Sequence, residues 1–237
     1  MGEGICMPTT DFKNQDELRA FAKAHVEDTS PLPLGGYSKR FFDIVFASLA
    51  LLMFGAAMIA IAIAMKLIEG GPVFFAHQRI GANGKKFPCW KFRTMVQDAE
   101  QRLQHILETD PAAAAEYYST RKLKNDPRVI PLIGGFLRKT SLDELPQFVN
   151  VLMGQMSIVG PRPVTEDEWL ENFGRQHCYT SARPGITGLW QTSGRNDVSF
   201  AERVRMDTSY IRNWSFLQDL RIIMRTIGTV CVHRNGY

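Results

Sequence analysis

The hydrophobic pattern along the chain is dominated by one uninterrupted run, Ile44 to Met65, which reads IVFASLALLMFGAAMIAIAIAM and carries no charge. As a helix it would extend about 33 Å, close to the thickness of a hydrocarbon core. A core helix of a soluble protein keeps a polar stripe, whereas this run is apolar on every face, so it predicts a membrane-embedded helix. Lys39 and Arg40 precede it and Lys66 follows it. Cations at both ends give no orientation by the positive-inside rule, and both ends on the cytoplasmic side is an allowed topology. A helix-break-helix that enters and leaves one leaflet fits that pattern, with Phe54-Gly55 at its middle and two arms of about 16 Å. Glycine alone breaks a helix weakly, so hairpin and single span both stand on these residues.

The pattern changes on either side of the run. Residues 1–36 are polar, carry more acid than base and end in PLPLGG, which predicts a weakly ordered tail with one short helix about Asp16 to His25. Residues 37–68 are predicted as the membrane segment, and residues 69–237 as a single α/β, α-rich domain. Two strand-like stretches flanking Ala82-Asn83-Gly84 predict a hairpin. Helices are predicted from Gln97 to about Tyr118, over SLDELPQFVNVLMG and from Ser199 to Arg212. The final stretch places Leu217, Leu220, Ile223, Met224, Ile227 and Val230 at helical spacing, with Arg221 and Arg225 displaced to another face. A helix on a membrane surface and an ordinary core-facing helix both read this way.

Length and charge narrow the classes. A chain of 237 residues buries one sizeable core. Its net charge of +4 is spread without a basic block, which argues against nucleic acid and leaves anionic small molecules and lipid headgroups as partners. The N-terminus lacks a signal-peptide pattern. Cys6, Cys89, Cys178 and Cys231 are dispersed without a CxxC pair, so no disulfide framework or zinc site is predicted.

Four clusters could carry chemistry. Lys91-Phe92-Arg93-Thr94-Met95, with Gln78 and Arg79 upstream, sets cations and a hydroxyl beside an apolar run, as a phosphate-binding edge does; solvated strand residues look the same. In Arg138-Lys139-Thr140-Ser141-Leu142-Asp143-Glu144-Leu145-Pro146, the Ser141/Glu144 spacing is that of a capping box. The adjacent carboxylates Asp143 and Glu144 could equally hold a divalent metal and supply an anionic nucleophile beside Arg138. In Gly160-Pro161-Arg162-Pro163 an arginine is fixed between prolines, suited to an anion or simply to a rigid loop. In ARPGITGLWQTSGRN, Arg183 and Gly185 lie in a stiff turn and Arg195 in a second glycine-containing loop, both open to anions or a nucleotide.

KFRTM, SLDEL, GPRP, RPGITG and SGRN, in this order behind a basic-flanked apolar segment, resemble the bacterial sugar transferase family of monotopic phosphoglycosyl transferases, from about Tyr37 to the C-terminus. The run RKLKNDPRV before RKTSLDELPQ is similar to the short enzymes that initiate exopolysaccharide assembly with galactose- or glucose-1-phosphate. The resemblance implies a cytosolic α/β domain on a re-entrant membrane helix with interfacial helices, at the bacterial cytoplasmic membrane. It implies that Asp143 attacks the β-phosphate of a UDP-sugar, releases UMP and passes the sugar phosphate to undecaprenyl phosphate. Glu144 would join Asp143 in holding Mg²⁺ or Mn²⁺. Lys91, Arg93, Arg138 and Arg162 would bind substrate phosphate, Arg183, Gly185 and Arg195 the nucleotide, and Lys39, Arg40 and Asp43 lipid headgroups. A homodimer or polysaccharide-assembly partners are compatible with it. The family often breaks its membrane helix at Ser-Pro, where this chain has Phe54-Gly55. Two other classes fit the residues without the resemblance: a membrane scaffold whose carboxylates only cap a helix, and a phosphohydrolase that uses water as acceptor.

Overall fold

The apolar run forms one helix, α1 (Gly36–Ile68), and Phe54 and Gly55 are helical within it. The computed structural model describes residues 32–120, 123–172, 178–193 and 199–232. The short helix expected near Asp16 therefore lies outside the described residues. At 1.5 Å per residue, α1 carries about 50 Å of helix, more than a hydrocarbon core needs. Its mean hydropathy reaches 2.6, and it is the one described helix long and apolar enough to cross a membrane. No two-armed break forms at Phe54-Gly55, because one glycine without a proline leaves the hydrogen-bond ladder intact.

Along α1, Lys39, Asp43, Ala47 and Ala50 are buried, at the spacing of one helix face. Phe41, Leu49, Leu52, Met53, Ile59 and Ile63 stay exposed. One face of the first part of α1 is thus held by protein, while its outward residues are predominantly apolar.

Beyond α1 the elements follow as β1 (Phe74–Ile80), β2 (Lys86–Phe92), α2 (Ala99–Thr109), α3 (Pro111–Thr120), α4 (Ile133–Thr140), α5 (Gln147–Leu152), β3 (Ser157–Val159), α6 (Glu166–Asn172), β4 (Gly185–Thr187), α7 (Phe200–Arg212) and α8 (Phe216–Val232). The α/β, α-rich class expected from the sequence is what forms, with two separate two-stranded sheets. β1 and β2 make the expected hairpin, whose connection places Asn83 at φ 54°, a left-handed conformation that asparagine tolerates. β3 and β4 pair in parallel, with Ser157 opposite Gly185 and Val159 opposite Thr187.

Three expectations need correction. The single helix from Gln97 to Tyr118 is two, because Pro111 cannot donate into a continuing helix and Asp110 Oδ1 accepts from the Ala112 and Ala113 amides at 3.0 Å, starting α3 afresh. The segment SLDELPQFVNVLMG yields a 3₁₀ turn at Leu142–Glu144 followed by the short α5. Cys178, one of the four dispersed cysteines that predict no disulfide framework, is disulfide-bonded.

The described chain forms two compact units. One holds the residues up to Gly55, Ala76–Trp90 and those from Pro146 onward; the other holds Ala56–Phe75 and Lys91–Leu145. The boundary between the two units passes through α1, β1 and β2. In the first unit, Ala47 of α1 packs with Phe87, Val151, Ile158, Tyr210 and Ile222 in one core. In the second, Met65, Phe92, Leu103, Ile130 and Leu137 are buried.

α8 turns Ile222 and Ile223 inward, with Asp219, while Leu217, Leu220, Met224 and Ile227 remain exposed. The sequence left its apolar stripe open between core and membrane surface. The structure assigns most of that stripe to the outside.

Candidate active site

The second unit assembles the carboxylates from three pieces of chain. α4 ends where Ser141 adopts a left-handed conformation, φ 57° and ψ 18°, and its amide closes onto the Leu137 and Arg138 carbonyls. Serine seldom occupies this region, and the reversal throws Leu142–Glu144 into a 3₁₀ turn away from the axis of α4. Leu145, buried at the end of that turn, fixes it from below. The expected capping box does not form. Ser141 makes no side-chain cap, and Glu144 turns instead to Lys91, with Nζ to Oε1 at 2.6 Å. A capping box does form at Ser199 and Glu202, where it starts α7.

Lys91 comes from the end of β2, and Arg138 from the last turn of α4, where its Nε donates to Thr94 Oγ1 at 2.8 Å. Burial, then the neighbouring Glu144 charge, push the Asp143 carboxyl up to about 6, against the opposing pull of Lys91 and Arg138. No side chain among the described residues hydrogen-bonds Asp143. One carboxylate is therefore held by a lysine and the next is left available, partly desolvated and flanked by two cations. A group in this state can act as a nucleophile toward a phosphorus centre whose oxygens the cations neutralise.

The donor set also fits a magnesium-type ion. Such ions bind through one or two carboxylates and complete their shell with water and substrate phosphate, and Asp143 and Glu144 provide the two carboxylates. Among the described residues no group of three or more His, Cys, Asp or Glu gathers, so a closed, all-protein metal cage is not the arrangement here.

Arg93 does not belong with this cluster. It is 6% exposed, and its Nε and Nη2 donate to the Pro72 and Gly70 carbonyls at 2.7 and 2.6 Å. Its guanidinium thus closes the turn between α1 and β1, and the expected phosphate contact is replaced by backbone carbonyls that would otherwise lack donors.

Arg162 and Arg183 belong to the first unit. Arg162 rises from the loop after β3, with its Nη2 3.9 Å from Glu168 Oε1 and its guanidinium carbon 5.9 Å from the centre of the Trp190 ring. Arg203 lies over the same ring at 4.8 Å, and Arg79 reaches Glu168 Oε2 at 3.1 Å. Burial and the Arg162 charge hold the Arg203 guanidinium below its usual range. Arg79 and Arg162 face the single carboxylate of Glu168, and Arg162 and Arg203 lie over one Trp190 ring; clustered guanidinium groups suit an anion. Arg79 stood beside the first motif in the sequence; Arg203 was missed, because a helical arginine carries no local signal.

Arg183 and Gly185 both make contacts within the first unit. Arg183 Nε donates to the Gly154 carbonyl at 2.9 Å. Gly185 lies against Gly160, so that a Cβ on either would overlap the backbone of the other. Arg195 lies outside the described residues.

The expected headgroup residues are likewise engaged inside the protein. Lys39 is 4% exposed and pairs with Asp219 at 2.5 Å. Asp43, fully buried, accepts from the Ser157 hydroxyl and the Ile158 amide, both at 2.9 Å. Arg40 donates to the Val151 and Leu152 carbonyls at 2.5 and 2.7 Å. Together they bolt the start of α1 to α5, β3 and α8; a carboxylate or ammonium so enclosed does not meet a lipid headgroup.

Residues 35–233 match the family model described as bacterial sugar transferase. The chain is 50% identical over 205 residues to the exopolysaccharide production protein ExoY of Sinorhizobium fredii, covering 86% of this chain and 90% of that one. It is 46% identical over 200 residues to the undecaprenyl-phosphate galactose phosphotransferase of Salmonella typhimurium, covering 84% and 41%. It is 41% identical over 219 residues to the UDP-glucose:undecaprenyl-phosphate glucose-1-phosphate transferase of Escherichia coli, covering 86% and 43%. The last two are longer proteins, of which this chain spans less than half. By a match running from before α1 to the end of α8, the chain belongs to the bacterial sugar transferase family.

Proposed function

We propose that the chain transfers a hexose-1-phosphate, galactose- or glucose-1-phosphate, from a UDP-sugar to undecaprenyl phosphate and releases UMP, as the membrane step that starts an exopolysaccharide or related glycoconjugate. The observation that carries this reading is Asp143, half-buried near the charges of Lys91 and Arg138 and without a side-chain hydrogen bond among the described residues, while its neighbour Glu144 is held by Lys91. The names of the Salmonella and Escherichia relatives support the lipid acceptor and the hexose class.

In the first step an Asp143 carboxylate oxygen attacks the phosphorus that bears the sugar. The bond from that phosphorus to the bridging oxygen breaks, and UMP leaves with the bridging oxygen. In the second, an oxygen of the polyprenyl phosphate attacks the same phosphorus, the acyl-phosphate bond breaks, and the Asp143 carboxylate is regenerated as the lipid-linked sugar diphosphate departs. Lys91 and Arg138 neutralise the phosphoryl oxygens as negative charge gathers on them. Asp143 and Glu144 would hold Mg²⁺, which supplies Lewis-acid stabilisation of phosphate charge when bound. Arg162 contributes a further cation to a substrate phosphate.

The reading places the protein at the cytoplasmic membrane with the catalytic residues on the cytosolic side, where nucleotide sugars are available. α1 is held by protein at Lys39 and Asp43 near its start and at Met65 near its end. That pattern favours a helix embedded from one side over a free span, and the outward apolar residues of α8 offer an apolar surface of their own to a membrane.

The test is UMP release by membranes bearing the protein, with a panel of UDP-sugars, with and without undecaprenyl phosphate and Mg²⁺. The expected result is UMP formed together with a lipid-linked sugar diphosphate, and no UMP from Asp143→Asn. Full activity of Asp143→Asn would overturn the covalent route. UMP release unaffected by the lipid, with sugar phosphate left in solution, would make the protein a phosphohydrolase.

A further inference from the structure

Asp207 is a buried acid that the chemistry above does not use. It lies on the inward face of α7 with 2% of its surface exposed, and burial pushes its carboxyl up to about 7. Its Oδ2 accepts the Arg162 backbone amide at 3.1 Å, whereas Oδ1 has no partner among the described residues. A leucine here would bury the same space without desolvating a carboxyl. The one hydrogen bond its carboxyl makes among the described residues is with the peptide that carries Arg162.

That peptide has few other means of support. Pro161 and Pro163 have no N–H, so the Arg162 amide is the sole backbone donor between Gly160 and Val164. On the far side of Asp207, the Tyr179 hydroxyl, fully buried, lies 2.7 Å from the Arg162 carbonyl and 3.4 Å from that of Ile80. A hydroxyl has one hydrogen, and the shorter contact takes it. The same oxygen accepts the Val164 amide at 3.2 Å, and Val164 in turn accepts from the Ile80 amide at 3.0 Å. Gly160 donates to Thr187, and Pro161 accepts from Gly185, both at 2.9 Å. The loop's amides and the Pro161 and Arg162 carbonyls are thereby paired, and the Arg162 guanidinium stands 3.9 Å from Glu168 Oε1, beyond hydrogen-bond distance.

We propose that Asp207 and Tyr179 are positioning residues that grip the Arg162 peptide from its amide and carbonyl sides and so aim its guanidinium at the substrate phosphate. The inference rests on the transferase reading for Arg162 and adds to it two side chains that touch no substrate. A misplacement of about 1 Å in a positioned cation is enough to cost on the order of 10²-fold in rate.

The experiment is a double-mutant cycle on UMP release in the full-length protein. Asp207→Ala is expected to lower kcat/KM by about 10- to 100-fold and Tyr179→Phe by about 3- to 10-fold. Asp207→Asn, whose amide oxygen still accepts the Arg162 N–H, is expected to recover activity to within about threefold of the parent chain. In an Arg162→Ala background the Asp207 and Tyr179 substitutions should each change the residual rate by less than about twofold, because the guanidinium they aim is gone. Equal losses in both backgrounds would overturn the proposal, as would Asp207→Ala at full rate. Hydrogen exchange of the Arg162 amide supplies a readout independent of turnover. Exchange about tenfold faster in Asp207→Ala, with α7 still protected, supports the grip, and unchanged exchange overturns it. A parent chain that releases no UMP defeats the transferase reading alone, and the exchange measurement then decides the grip.

Discussion

Lys91 Nζ lies 2.6 Å from Glu144 Oε1, and Asp143, the next residue back along the chain, has no side-chain partner among the described residues. The lysine therefore lowers the Asp143 pKa from a distance without occupying it, while burial and Glu144 raise it, the balance standing at about 6. A nucleophilic carboxylate must be ionised, so UMP release should rise with pH along a limb whose apparent pKa is about 6. Lys91→Met removes the lowering charge, and its residual activity should show that limb displaced to higher pH. Glu144→Gln removes the like charge and should displace the titration of Asp143 downward, measured by carboxyl ¹³C shifts. A limb near 4 in the parent chain would contradict the desolvated nucleophile.

The same shift makes a statement about stability. Because the folded pKa of Asp143 exceeds the ordinary 3.8, the folded state binds the proton more tightly than the unfolded one. That contribution is fully present below about pH 4 and lost as pH rises through about 6, so at neutral pH the ionised carboxylate is a cost to the fold. Asp143→Asn should raise thermal stability at pH 7.5 by on the order of 1–2 kcal/mol, discounted for partial exposure, while abolishing transfer. The gain should disappear at pH 4, where the parent carboxyl is protonated as well. Thermal unfolding of both chains at the two pH values checks it.

Lys39 and Asp219 form the most enclosed ion pair described. Tyr210 donates to Asp219 Oδ1 at 2.6 Å and Trp214 to Oδ2 at 3.0 Å, so both oxygens of the acid are engaged. Removing one partner leaves a buried charge unanswered, and Lys39→Met or Asp219→Leu alone should each destabilise by about 3–5 kcal/mol. The double substitution removes both charges and should recover much of that loss. Denaturant unfolding in detergent measures the three chains, and additive losses would show that the pair does not couple α1 to α8.

These interior pairs mark where the sequence stopped being legible. The membrane helix, the Asn83 hairpin and the start of α7 at Ser199 could all be read, because each is decided by neighbours within a few residues. Ser141 and Glu144 also carry a local signal, but tertiary contacts overrode it: Ser141 is used to end α4, and Lys91, 53 residues from Glu144, takes the side chain. Arg93, Lys39 and Asp43 looked like surface charges because one sequence does not say which charges are paired inside. Asp207 and Asp219 did leave a trace, each standing among apolar residues at helical spacing, with Val204 and Ile211 around the first and Ile222 and Ile223 after the second. An acid on the apolar stripe of a helix implies a buried partner, without naming it.

The outward residues of α8 give the membrane face its own test. Met224 is 68% exposed and Ile227 50%, while Ile222 and Ile223 hold the helix to the core. Four large apolar side chains left in water would cost the chain solubility without adding to its fold. Laid against a bilayer they become the apolar face of an interfacial helix, with Arg221 and Arg225 toward the headgroups. A nitroxide at Met224→Cys in vesicle-bound protein should therefore be more accessible to oxygen than to a water-soluble nickel chelate, and one at Arg225→Cys the reverse. Either label affects an exposed position, so the fold should hold in both. Equal chelate access at the two sites would place α8 in water and confine the membrane contact to α1.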